Sequence, residues 1–146
     1  MNSREKYEYW LEVAQYDIET AKVMLDAGRY VYVAFMCQQA IEKLTKGIYQ
    51  LFTDTEPPMI HNIWNILKLM NKDVTREKFL QKEIFEERLV EYKDFLVELL
   101  AFYISGRYPS FKEKISTSID ATRAKRVLKQ GMEVFMWLES LSQYRQ

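Results

Sequence analysis

Along residues 30–52 an apolar residue returns every three or four positions: Ala34, Cys37, Ile41, Leu44, Ile48 and Leu51. That period belongs to a helix with one buried face; a strand, whose side chains alternate, cannot bury it. The same spacing runs through residues 3–27, in Trp10, Val13, Ala14, Asp17, Ala21, Met24 and Leu25. Only Gly28-Arg29 separates the two segments, which predicts an antiparallel helical hairpin, with Ser3 as the first N-cap and Gly28 as the first stop. Asp17 falls on the apolar stripe and predicts a buried polar partner. Four glycines and three prolines in 146 residues leave little punctuation for the many turns of an all-β fold.

The remaining segments extend the helical pattern. Pro57-Pro58 marks a loop over residues 53–59. Ile63, Ile66, Leu67 and Met70 share one side of a short third helix, broken by Asn71-Lys72-Asp73. A fourth helix is expected over residues 76–103, capped by Asp73 or Thr75, with Phe79, Leu80, Ile84, Leu89, Tyr92, Leu96, Leu99 and Tyr103 as its stripe. After a loop at 105–116, Thr117-Ser118-Ile119-Asp120 has the form of a capping box. The last helix runs to about residue 142, with Ala121, Ala124, Leu128, Phe135, Leu138 and Leu141 inward and Gly131 at a close helix contact. The sum is one all-α domain over residues 1–146, an up-and-down antiparallel bundle of about five helices. Tyr30, Tyr32, Tyr49 and Phe102 fall off the stripes. They either form a helix-on-helix subunit interface, or the tyrosine rings keep wet hydroxyls at the bundle edge.

Charge narrows the function. With 21 basic and 21 acidic residues the net charge is zero, so no global field draws the chain to nucleic acid or an anionic membrane. A phosphate site must be a local cluster. The single cysteine, Cys37, excludes an intrachain disulfide and reads as a buried thiol. The single histidine, His61, excludes multi-histidine metal sites; no metal or cofactor is expected. The segment Met1-Asn2-Ser3-Arg4-Glu5-Lys6 lacks the apolar core of a secretory signal, and no uncharged apolar run approaches the ~20 residues of a bilayer span. A cytoplasmic location is expected.

The candidate site lies in Tyr103-Ile104-Ser105-Gly106-Arg107-Tyr108-Pro109. Gly106 is suited to the left-handed close of a helix, and Pro109 cannot extend one. Arg107 is thereby fixed at a helix end beside an aromatic ring. Its guanidinium suits phosphate or carboxylate recognition; the alternative is a side chain that bonds the last helix carbonyls. Gln38, Gln39, Glu42, Lys43 and Lys46 lie on adjoining faces of the second helix, and of these Gln38, Gln39, Lys43 and Lys46 are the candidate ligand residues. They can serve a ligand, or Asp17, Gln39 and Lys43 can satisfy one another as a structural network.

Four segments together resemble one family. Trp10, Ala14, Asp17 and Ala21 resemble the opening W-x3-A-x2-D-x3-A pattern of HEPN domains, the helical "higher eukaryotes and prokaryotes nucleotide-binding" domains. Ala34-Phe35, Gln38-Gln39-Ala40, Glu42-Lys43 and Lys46 resemble their A-F-x2-Q-Q-A-x-E-K-x2-K signature. His61-Asn62-Ile63 with Leu67 resembles the H-[DN]-[LI]-x3-L start of the third helix, and Tyr103 with Arg107-Tyr108-Pro109 the Y-x3-R-Y-P close of the fourth. The resemblance implies a helical bundle that usually forms a homodimer. Many relatives sit beside a minimal nucleotidyltransferase as half of a toxin–antitoxin pair; others are RNases carrying an arginine, four to six residues, then a histidine. Here Lys112, Glu113 and Lys114 occupy the histidine positions, and Lys114 also replaces a tyrosine that some toxin relatives place two residues beyond it.

Proton transfer near neutral pH suits histidine, not lysine. The expected function is therefore a non-catalytic module that binds a nucleotide, RNA or a nucleotidyltransferase partner. In it Arg107 and Tyr108 meet phosphate, Lys43 and Lys46 add positive charge, and Gln38 and Gln39 bond a base or order the site. The alternative is a divergent RNase toxin using Arg107 with His61 or Lys112. Against that, His61 at a helix start has a capping or packing role.

Overall fold

The computed structural model of the chain describes residues 1–108 and 119–146. Five helices stand among the described residues: α1 (Ser3–Asp26), α2 (Tyr30–Thr53), α3 (Ile63–Asp73), α4 (Lys82–Arg107) and α5 (Ala121–Ser140), followed by a 3₁₀ turn, Leu141–Tyr144. The helix N-terminus of α1 is closed by Asn2, whose side chain accepts from Glu5 N at 2.8 Å, so Ser3 is the first helical residue and not the cap. Gly28 ends α1 as expected. Its φ of +72° lets Arg29 N reach back to Met24 O at 2.8 Å, a turn that residues with a Cβ adopt at a cost.

The hairpin of α1 and α2 is the spine. Gly47 marks a close contact between the two helices: a Cβ there would stand 2.7 Å from the Trp10 Cβ. The far side of α2 packs on α3, α4 and α5, so Ala34, Cys37, Ile41, Leu44 and Ile48 are sealed from solvent. Gly131 of α5 does mark a close contact, since a Cβ would lie 3.3 Å from the Cys37 Sγ. Burial pushes the Cys37 thiol up to about 12, so it stays protonated and inert.

Three expectations need correction. The third helix is not broken at residue 71 but continues through Asp73, where the Lys82 ammonium bonds the carbonyls of Asn71 (2.5 Å) and Val74 (2.6 Å). The fourth begins at Lys82, capped by neither Asp73 nor Thr75. Residues 75–81 instead form turns that bury Phe79 against Phe52 and Phe85, at ring separations of 4.4 and 5.0 Å. They also pair with the C-terminal segment, Leu80 N to Tyr144 O at 2.8 Å. Of the expected stripe, Phe79, Leu89, Leu96 and Leu99 are buried and Leu80 and Ile84 are exposed; Phe85, Phe95 and Phe102 widen the buried face. Third, the final helix starts at Ala121 with Asp120 as its N-cap, accepting from Arg123 N at 2.8 Å, so Asp120 is not the acidic end of a capping box. Thr117 and Ser118 lie outside the described residues.

The off-stripe aromatics also differ from expectation. Phe102 is buried, Tyr30 and Tyr49 pack against the core, and only Tyr32 is exposed. Exposed apolar side chains recur at seven-residue steps on two helices: Tyr9, Tyr16 and Val23 on α1, and Val90, Val97 and Ile104 on α4. No described helix is long and apolar enough to cross a membrane.

Candidate functional site

Gln38, Glu42 and Lys46 are spaced i, i+4, i+8 and so stand on one face of α2. Glu42 is only 7% exposed. A buried carboxylate is tolerated when donors surround it, and three do here. Gln38 Nε2 donates at 2.8 Å, Lys46 Nζ at 3.1 Å and His61 Nδ1 at 3.1 Å to each carboxylate oxygen. Gln39 Nε2 extends the chain by donating to Gln38 Oε1 at 2.7 Å.

His61 reaches Glu42 from the start of α3. It does not cap that helix; Asn62 does, accepting from Asn65 N at 3.2 Å. The imidazole lies flat on Tyr103 of α4, with ring centroids 4.2 Å apart and planes 17° from parallel. Arg107, one turn further along α4, places its guanidinium carbon 5.0 Å from the centre of the same Tyr103 ring. The site thus assembles α2, α3 and α4 around one tyrosine, and a cation over an aromatic face is held without an acid.

The helix end differs from expectation. It does not stop at Gly106; α4 runs on to Arg107, and Tyr108 is the extended residue that closes it (φ −123°, ψ 142°). Arg107 and Tyr108 are both exposed. Among the described residues no carboxylate pairs with Arg107.

The two lysines of the expected site are engaged. Lys43 Nζ lies 2.5 Å from Asp17 Oδ2, the polar partner that Asp17 required, and Lys46 pairs with Glu42. Gln39 bonds Gln38 and joins neither Asp17 nor Lys43, so the expected three-residue network is an ion pair plus a separate amide chain. Lys112 lies outside the described residues. No cluster of three metal-ligating side chains exists among the described residues.

The sequence places Glu42 and Tyr103 within the candidate segments but gives neither a role in the site. Both had a spacing signal: Gln38–Glu42–Lys46 and Tyr103–Arg107 are each one helical turn apart.

A family model described as HEPN domain matches residues 7–141. Among solved structures, the chain is similar to TT1696 from Thermus thermophilus, at 23% identity and a TM-score of 0.68 over 96% of this chain and 98% of that one. It is also similar to ST0689, described as an archaeal HEPN homologue, at 19% identity and a TM-score of 0.68 over 94% and 98%. These likenesses concern the fold. No curated protein matches the chain.

Proposed function

The chain belongs to the HEPN domain family, and from that premise we propose that it is a non-catalytic binding module whose Arg107 takes an anionic ligand. One observation carries the reading: Arg107 is the exposed cation of the site, supported on Tyr103 and without an acid partner among the described residues. A guanidinium in that state can offer its paired N–H groups to phosphate. Tyr108, exposed beside it, supplies an aromatic face for a base. The ligand is a nucleotide or the phosphate of RNA. Gln38, Gln39 and Lys46 order the site from behind through Glu42, while Lys43 is engaged by Asp17 of α1.

The same reading includes assembly. Val90, Val97 and Ile104 give α4 an exposed apolar line that leads to Arg107, which supports a homodimer through this face. A minimal nucleotidyltransferase, in a toxin–antitoxin-like pair, is the proposed protein partner. Calorimetric titration with ATP, GTP and a short RNA tests ligand binding; heat with the wild type and none with Arg107→Ala is the expected result. Sedimentation of Val97→Glu tests the dimer, with a shift to monomer expected.

A second reading has one observation in its favour. His61 and Arg107 both meet the Tyr103 ring, so one tyrosine links a histidine to the arginine even though the family's RNase spacing is broken. A divergent RNase would break down RNA at micromolar protein and lose that activity in His61→Asn.

A further inference from the structure

The outer side of α3 carries charge that the fold does not use. Ile63, Ile66, Leu67 and Met70 face the core, which turns Trp64, Lys68 and Lys72, on successive turns, towards solvent. Trp64 is half-buried, its body packed on the core. Two ammoniums from different helices meet its ring. Lys68 Nζ lies 5.3 Å from the ring centroid, and Lys93 Nζ, reaching across from α4, lies 5.4 Å from it. Both lysines are exposed, and among the described residues neither they nor Lys72 pair with a carboxylate. Other exposed cations are answered: Arg76, Arg88 and Arg126 each hold a glutamate. Lys68 and Lys72, like charges one turn apart, repel each other on the helix surface. A chain of zero net charge thus keeps a local positive field around one indole.

We propose that this face of α3, with Lys93 of α4, binds single-stranded nucleic acid: Trp64 stacks a base, and Lys68, Lys72 and Lys93 meet the phosphates around it. Arg107 takes no part in it. An exposed lysine over an indole gains less than a base stacked there, because the ammonium stays hydrated. A base therefore displaces the lysines from the ring, and each freed ammonium finds a phosphate of the same strand. The strand supplies phosphates in succession, so the three lysines need not converge on one. An acidic peptide would answer the charges and leave the ring bare. A duplex keeps its base faces stacked inside, out of reach of Trp64.

Fluorescence anisotropy of a labelled oligoadenylate of about ten nucleotides, titrated with the full chain across a salt series, tests the assignment. Lys68→Met and Lys93→Met keep the aliphatic stem and remove the charge. Each is expected to flatten the slope of log affinity against log salt by about 0.7. Trp64→Leu should bind about tenfold more weakly at an unchanged slope, and Trp64→Phe, which keeps a ring, should restore most of the affinity. Polyglutamate and the complementary duplex should each compete about tenfold less well than the unlabelled single strand. No binding of the strand, an unchanged slope in both lysine variants, full affinity in Trp64→Leu, or polyglutamate competing as well as the strand overturns the assignment. Arg107→Ala in the same series reads the role of Arg107 by itself. In its background Lys68→Met and Lys93→Met should still flatten the slope, and a failure to do so would overturn the separation of this surface from Arg107.

Discussion

Asp17 of α1 and Glu42 of α2 each hold a lysine; Arg107, at the end of α4, holds an aromatic ring and, among the described residues, no acid. The hairpin spends its charges on its own fold, because a carboxylate 6–7% exposed must be answered where it stands. The end of α4 is solvated, so its cation needs no internal answer. The contrast separates positive charge that answers a buried acid from positive charge left over for a ligand. Summed charge hides it, since both kinds count equally toward a net charge of zero.

The largest effect should come from forcing the hairpin apart. Gly47→Val places a side chain against Trp10, where even a Cβ has only 2.7 Å. A loss of about 3 kcal/mol is expected, read as a lower urea midpoint at unchanged slope. Next, Lys43→Met leaves Asp17 without its cation. The expected loss is about 2 kcal/mol, below that of a fully buried pair because Lys43 is partly solvated, and Asp17→Asn in the same chain should recover part of it. Arg107→Ala, by contrast, should stay within ~0.5 kcal/mol in the same titration. A loss as large as that of Lys43→Met would erase the distinction between the two regions.

The smallest effect is electrostatic. The hydrogen bond from Arg126, with Arg123 beside it, holds the Glu98 carboxyl below its ordinary value. A depressed acid stabilises the fold above its unfolded value, about 4.3, and that contribution fades as pH falls through the folded value. Glu98 is partly solvated, so the effect is a few tenths of a kcal/mol. Glu98→Gln should flatten the fall of the melting temperature below pH 4 while leaving the profile above pH 6 unchanged in shape.

The hairpin was legible because everything local agreed: one apolar period, a glycine stop, and an acid on the stripe that announced its partner. The start of α4 was not. Phe79 reads as the first residue of a helical stripe, yet it is buried from a turn, through aromatic contacts with Phe52 and the C-terminal pairing at Tyr144. Contacts so distant in sequence leave no periodic trace. In the site, Arg107 announced itself through the proline and tyrosine around it. Glu42 did not, since an acid four residues before a lysine is the commonest pattern of a solvated helix face. What makes it different is His61, nineteen positions away and brought in by α3. Lys43 and Lys46 looked like free charge for the same reason: spacing along one helix says nothing of the acid on its neighbour.

Calorimetric titration of adenosine monophosphate into the wild type, Arg107→Ala, Lys43→Met and Lys46→Met separates the two kinds of charge directly. Loss of binding in Arg107→Ala, with both lysine variants retaining affinity within about threefold wherever they remain folded, is the predicted result. Undiminished binding in Arg107→Ala, or an equal loss in a folded lysine variant, would contradict it.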